Sequence, residues 1–327
     1  MTSRDRDRPR YNRGVVTPAR LLPALAFVLS LLTLAGTAQG PAVRRPFHGV
    51  TLTDLAVTAP RPARMLVAQV DLTAPGIRIA VSPPAGAREA VRETTLDFLA
   101  RSGAQLAVNA HFFLPFPSDD LDAWLIGLAA SDGRVYSGFE TPTQDFALVA
   151  DAPALRFDRR QRARIVHRRP GADATRVRER GDVWNAVAGS AQILTAGVVT
   201  IPGYRDATHP AGALRPGPDG RYASGRSWYD LITSRTVAGL SKNRRTLTLA
   251  AVDGQVGVRG LTPADIATRL ARDFGVWDAL NLDGGGSTTM AWRDPDTGQP
   301  ALLNTPTDGP RGRAVASSLA VFARPAP

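Results

Sequence analysis

Cysteine is absent from the 327 residues. That removes disulfide frameworks, thiolate metal sites and cysteine nucleophiles at once. Lysine is almost absent too: Lys242 is the only one, so the formal charge of +11 is carried by arginine. Aromatic residues make up 6% of the chain, and no basic stretch is interleaved with them. A surface that stacks nucleic-acid bases is therefore not expected. An anionic small substrate or a glycopolymer is a milder use for the same arginines. His48, His111, His167 and His209 are scattered, and no group of residues has metal-ligand spacing. No cofactor is expected; the one cation site the pattern admits is a calcium ion at Asp283 and its neighbours, which nothing else supports. The uncharged run Leu21 to Ala35 falls short of the roughly 20 residues of a membrane span.

That run belongs to a targeting segment. Arg4, Arg6, Arg8, Arg10, Arg13 and Arg20 outweigh Asp5 and Asp7 before it, and Gly36-Thr37-Ala38 follows with small residues at signal-peptidase positions. Residues 1–38 read as a signal peptide or an N-terminal anchor, and residues 39–327 as one domain working outside the cytoplasm, secreted or periplasmic. After cleavage no stable membrane span remains.

What the chain does have is an unusual block, Asn281-Leu282-Asp283-Gly284-Gly285-Gly286-Ser287-Thr288-Thr289. Three consecutive glycines are costly to order, so a folded chain that keeps them needs positive φ or close approach of the backbone. Successive amides in such a loop form an anion-binding concavity, and the hydroxyls behind them add donors. The block is not a P-loop, since no Gly-Lys-Ser/Thr ending is present. A tight turn without chemistry is the plain alternative.

The rest reads as short strands with two capped helices. Met65 to Leu72 and Ile77 to Val81 are apolar and alternating, split at Pro75-Gly76. Thr94 caps a helix with Asp97 at N3 and Gly103 as its stop. Thr262, Pro263, Ile266, Leu270, Phe274 and Gly275 mark a second. Each helix feeds a strand that delivers an asparagine, Asn109 and Asn281. Phe146 to Val149 reads as a strand and Pro202 to Arg226 as a long loop of lid type. The arginine-dense stretch Arg156 to Arg180 reads as hairpins with solvated edges, and Trp184 to Leu194 as one apolar strand interrupted by small residues. Thr233 to Gly239 and Thr246 to Val252 read as a strand pair, with Asp253-Gly254 as the turn after it. Arg313 to Phe322 reads as one closing strand. The fold class expected is α+β, mostly antiparallel sheets with two principal helices in a single large domain.

The block Asn281 to Thr289 resembles the signature of the phosphodiester glycosidase family. The resemblance runs in order through Val67 to Leu72, Val108-Asn109-Ala110-His111-Phe112-Phe113, Arg235-Thr236-Val237-Ala238-Gly239, Val252-Asp253-Gly254, and Asn304 through Asp308-Gly309 to Arg313-Ala314-Val315. The family often has glycine where Ala110 and His111 stand. The resemblance implies hydrolysis of the bond between a sugar anomeric carbon and a phosphodiester, in envelope or extracellular polysaccharide. Such a transition state needs a carboxylate near C1 and fixed donors on the departing phosphate. Asp283 suits the first role. Arg235, the amides of Gly284, Gly285 and Gly286, and the hydroxyls of Ser287 and Thr288 suit the second. Asn109 is placed with the catalytic residues; Asn281, His111 and Arg313 are placed against the substrate, Arg313 with Asp308 as an ion pair nearby. The alternative is a non-catalytic protein of exopolysaccharide assembly that binds anionic glycopolymer with the same residues.

Overall fold

The structure, a computed structural model, describes residues 40–139, 152–200, 231–255 and 257–326. The expected leader, the strand at Phe146 to Val149 and the loop at Pro202 to Arg226 lie outside the described residues. The domain is a single one, built mostly of antiparallel sheets with two helices.

The largest sheet has eight strands. From one edge they are Ala42–Phe47, Val50–Val57, Ala63–Asp71, Thr246–Val252, Arg235–Ser241, Val276–Asn281, Ala191–Thr195 and Val198–Val199, all antiparallel. A five-stranded sheet contains Leu106–Asn109, flanked by Met290–Arg293 and Ser318–Phe322. A second five-stranded sheet carries the hairpin Ala154–Phe157 with Ala163–Val166. One face of the large sheet packs on these two through Leu66, Ala68, Val108, Leu155, Leu249, Leu280 and Leu319, all buried. The other face is covered by helix α2, Pro263–Phe274, whose Ile266, Ala267 and Leu270 meet Val67, Val237, Ala250 and Ala279.

Both helices begin and end where local chemistry dictates. In α1, Thr95–Ser102, the Thr94 side chain accepts the Asp97 amide, and Gly103 closes it at φ 72°. In α2 the Thr262–Asp265 capping box is complete, and Gly275 closes it at φ 63°. Positive φ is the region glycine enters without steric cost.

Two expected strands divide. Trp184 to Leu194 forms Asn185–Ala188 and Ala191–Thr195, which belong to different sheets. Between them lies Gly189, where a side chain would stand 2.6 Å from the Asn281 carbonyl oxygen. Arg313 to Phe322 likewise forms Ala314–Val315 and Ser318–Phe322. Asp253 is no simple turn residue: its carboxylate accepts the Thr305 amide at 2.9 Å and lies 3.5 Å from the Arg64 guanidinium.

Candidate active site

The glycine block is the handover between two sheets. Val276–Asn281 ends in the large sheet, and Met290–Arg293 begins in the sheet that holds Leu106–Asn109. Asn109 ties the ends together. Its Nδ2 donates to the Asp283 main-chain carbonyl at 2.7 Å, and its Oδ1 accepts the Thr236 hydroxyl at 2.7 Å and the Thr289 amide at 3.0 Å. The Asp283 amide donates to the Ala110 carbonyl. With its whole side chain engaged and 0% exposed, Asn109 fixes where Asp283 sits, and its contacts are those of a positioning residue.

Asp283 itself is 8% exposed. Its carboxylate accepts the Gly284 amide at 2.9 Å and the Ser287 hydroxyl. Burial pushes its pKa up to about 6, against the opposing pull of the Ser287 hydroxyl, the Arg313 charge and the Gly284 amide.

The cation beside this carboxylate is Arg313. Its Nε donates to Asp308 Oδ2 at 2.5 Å and its Nη1 to Ser287 Oγ at 3.2 Å, while the guanidinium carbon lies 4.6 Å from the centre of the Phe116 ring. Arg235, expected at the phosphate, is turned elsewhere. It is buried, and it donates to the carbonyls of Leu261, at 3.1 Å, and Leu231. Those contacts brace the entry to α2.

The glycines also work differently from an open amide cradle. The Gly284 amide serves the Asp283 carboxylate, the Gly285 amide donates to the Ser234 carbonyl, and the Ser287 and Thr288 amides close a short 3-10 turn onto Gly284 and Gly285. What requires glycine is space. A Cβ on Gly284 would lie 2.9 Å from the Ser234 carbonyl oxygen, Gly285 has φ +60°, and a Cβ on Gly286 would lie 2.3 Å from Arg313 Nη2. The turn is bare so that the arginine can lie across it. Gly286→Ala should therefore keep the fold, because the obstructed atom is the tip of a flexible side chain, yet move the fork. The expected result is a thermal midpoint close to the wild type's and activity lower by about tenfold to a hundredfold, in line with a small misplacement of a positioning group.

His111 is 0% exposed. Its Nδ1 lies 2.6 Å from Ser317 Oγ; its Nε2 accepts the Ala188 amide at 2.9 Å and lies 3.1 Å from the Leu128 carbonyl. Burial lowers its pKa to about 4. Where the sequence suggested a substrate contact, the structure gives a neutral ring that pins three segments behind Ala110. Asn281 donates to Ser190 Oγ at 2.9 Å, and its Oδ1 is buried with no partner. Thr288 Oγ1 and Thr233 Oγ1 share that condition. Leaving such oxygens unpaired costs about 1–3 kcal/mol each. Phe116 went unnoticed in the sequence; its flanking prolines, Pro115 and Pro117, were the available signal. Among the described residues no three His, Asp or Glu side chains converge as a metal site, and no helix is long and apolar enough to cross a membrane.

A buried carboxylate whose pKa is raised to about 6, next to an arginine fork, marks this turn as a candidate functional site. Residues 102–322 match the family model of phosphodiester glycosidases. The chain belongs to that family and is a glycosidase by membership. No curated protein matches it. Among solved structures it is similar to the catalytic domain of zebrafish N-acetylglucosamine-1-phosphodiester alpha-N-acetylglucosaminidase, auto-inhibited by its pro-peptide, with 19% identity, TM-score 0.60, and 88% of this chain and 85% of that one covered. A hypothetical protein from Synechocystis is similar at 14% identity and TM-score 0.54, over 84% of this chain and 62% of that one. A putative exported protein from Burkholderia pseudomallei is similar at 16% and 0.51, over 82% and 75%. At these identities the structural likeness shows the fold.

Proposed function

We propose that the chain hydrolyses sugar-1-phosphodiesters outside the cytoplasm, in envelope or extracellular polysaccharide. The observation that carries this is the Asp283–Ser287–Arg313 arrangement, a carboxylate and a phosphate-matching fork joined through one hydroxyl. In the reaction the bond from C1 to the phosphate oxygen breaks and the electron pair leaves with the phosphate. Water adds to C1, and its proton ends on solvent through the active-site carboxylate. The products are a free sugar and a phosphate monoester. Asp283 supplies negative charge where C1 becomes cationic. Arg313 meets the charge growing on the phosphate, where a planar fork suits two oxygens better than an ammonium point charge. A phosphate is a good leaving group, so a strong general acid is not required.

The test is release of reducing sugar from synthetic sugar-1-phosphodiesters across pH 4 to 9. Since Asp283 must be ionised, kcat/KM should rise with pH and level off above about 6. No turnover of any such substrate by the folded protein would overturn the reading.

A further inference from the structure

The charge of this protein is not spread evenly. The stretch from Arg156 to Asp182 holds ten arginines against four carboxylates, a net +6. Everything else from Gly40 onward balances to +1, twenty-four basic residues against twenty-three acidic ones. The concentrated part is the hairpin Ala154–Phe157 and Ala163–Val166 with the turns after it, at the edge of its five-stranded sheet.

That edge does not merely face solvent. A cleft of about 240 Å³ separates it from the large sheet, lined by Arg164, Ile165, His167, Glu179, Gln192, Arg244 and Asp278. Both carboxylates in the cleft are already engaged. Glu179 accepts from the amide and ring of His167 and from Arg178; Asp278 accepts the Ala196 amide and the Gln192 amide group. The two arginines are not: among the described residues neither the Arg164 nor the Arg244 guanidinium has a hydrogen-bonding or ion-pairing partner. Asp278 lies within the strand Val276–Asn281, which ends before Asp283, and none of the residues lining the cleft is among the partners of the Asp283 carboxylate, Gly284, Ser287 and Arg313. The cleft is thus separate from that carboxylate.

We propose that this cleft is an exosite for an anionic glycopolymer, its phosphate groups held by the forks of Arg164 and Arg244 and its length followed by the surrounding arginines. The polymer identity rests on the function proposed above; the polyanion site rests on the charge and the cleft. A bilayer surface is disfavoured, because among the described residues no exposed large apolar side chain lines the cleft or lies within Arg156 to Asp182. A nucleic-acid surface is disfavoured because the one aromatic ring contacted there, Trp184, is already covered by Arg159 at 4.3 Å.

The experiment measures binding of fluorescently labelled poly(glycerol phosphate) to the full chain at rising salt. It compares the wild type with Arg164→Gln/Arg244→Asn; asparagine suits position 244, where φ is +58°. Arg101→Gln/Arg293→Gln removes the same charge elsewhere. The expected result is salt-sensitive binding, weakened at least fivefold in the cleft variant and less than twofold in the control, with thermal midpoints alike. Turnover of a small sugar-1-phosphodiester should be the same in all three. Equal weakening in both variants, binding indifferent to the cleft, or tighter binding to phosphatidylglycerol vesicles or duplex DNA than to the polymer would each overturn the exosite. Cleft-dependent polymer binding without turnover of any small substrate would keep the exosite and remove the proposed reaction. Loss of small-substrate turnover in the cleft variant alone would refute its separateness.

Discussion

Asp283→Asn is expected to abolish sugar release and, at neutral pH, to make the protein more stable. The two effects have one cause. The carboxylate is held where burial raises its pKa from 3.8 to about 6, so ionising it in the fold is harder than in the open chain. A shift of about two pH units corresponds to about 3 kcal/mol lost from stability above pH 6. The sign follows from proton binding. Between about pH 4 and 6 the folded state binds more protons at this site than the unfolded state, so stability falls as pH rises through that window. Asparagine carries no such cost, and its oxygen can still accept from Gly284 and Ser287. The variant should melt about 5–10 °C higher at pH 7.5, with the gain shrinking toward zero at pH 4. Turnover should drop by about a thousandfold or more. Differential scanning calorimetry at both pH values, alongside a reducing-sugar assay, checks both halves. A less stable variant would make Asp283 a structural residue, and an active one would remove it from the chemistry.

His111 contributes the opposite slope in almost the same window. Its ring is neutral in the fold down to about pH 4, whereas an open-chain imidazole takes a proton near 6.5. Its contribution to stability is therefore present above 6.5 and lost as pH falls toward 4. In the wild type the two buried groups partly offset one another. In the Asp283→Asn protein the histidine acts alone, so the variant should show the steeper loss of stability on mild acidification.

What the sequence made legible was local. Thr94, Asp97 and Gly103, or Thr262, Pro263 and Gly275, specify helix ends through contacts three or four residues long, and both helices fall where those residues place them. The alternation in Thr246 to Val252 and the residues before it gave a strand pair for the same reason. Contacts between distant segments were not legible. Nothing near Gly189 in the chain announces the Asn281 carbonyl that leaves no room for a side chain where the strand breaks. Arg235 is paired with the Leu261 carbonyl, 26 residues away, so its type suggested a phosphate while its surroundings dictate a brace. The glycine amides repeat the lesson. Residue type predicted an anion nest, but whether amides remain open depends on which carbonyl arrives, and Ser234 brings one to Gly285. Asp283 and Arg313 do lie together at this turn, joined through the Ser287 hydroxyl, and the roles proposed for them need only their own charge.

Arg313→Gln tests whether that charge acts on both the substrate and the carboxylate. The arginine lowers the pKa of Asp283; without it, burial is less opposed and the carboxylate should protonate at a higher pH. The acid limb of kcat/KM should then move above 6, while the plateau falls by about a hundredfold to a thousandfold, the scale for removing a fixed donor from a developing oxyanion. Arg313→Lys separates the two effects. An ammonium keeps the positive charge near Asp283, so the limb should stay close to that of the wild type. It cannot span two phosphate oxygens or bridge Asp308 and Ser287 with a planar fork, so the plateau should still fall. If both variants lowered the plateau and neither moved the limb, Arg313 would act on the substrate alone. If both moved the limb equally, a retained positive charge would not be sufficient and the placement of the fork would set the proton on Asp283. The expected split, limb displaced only in glutamine and plateau lowered in both, follows from an arginine that acts on both the Asp283 carboxylate and the phosphate of the proposed substrate.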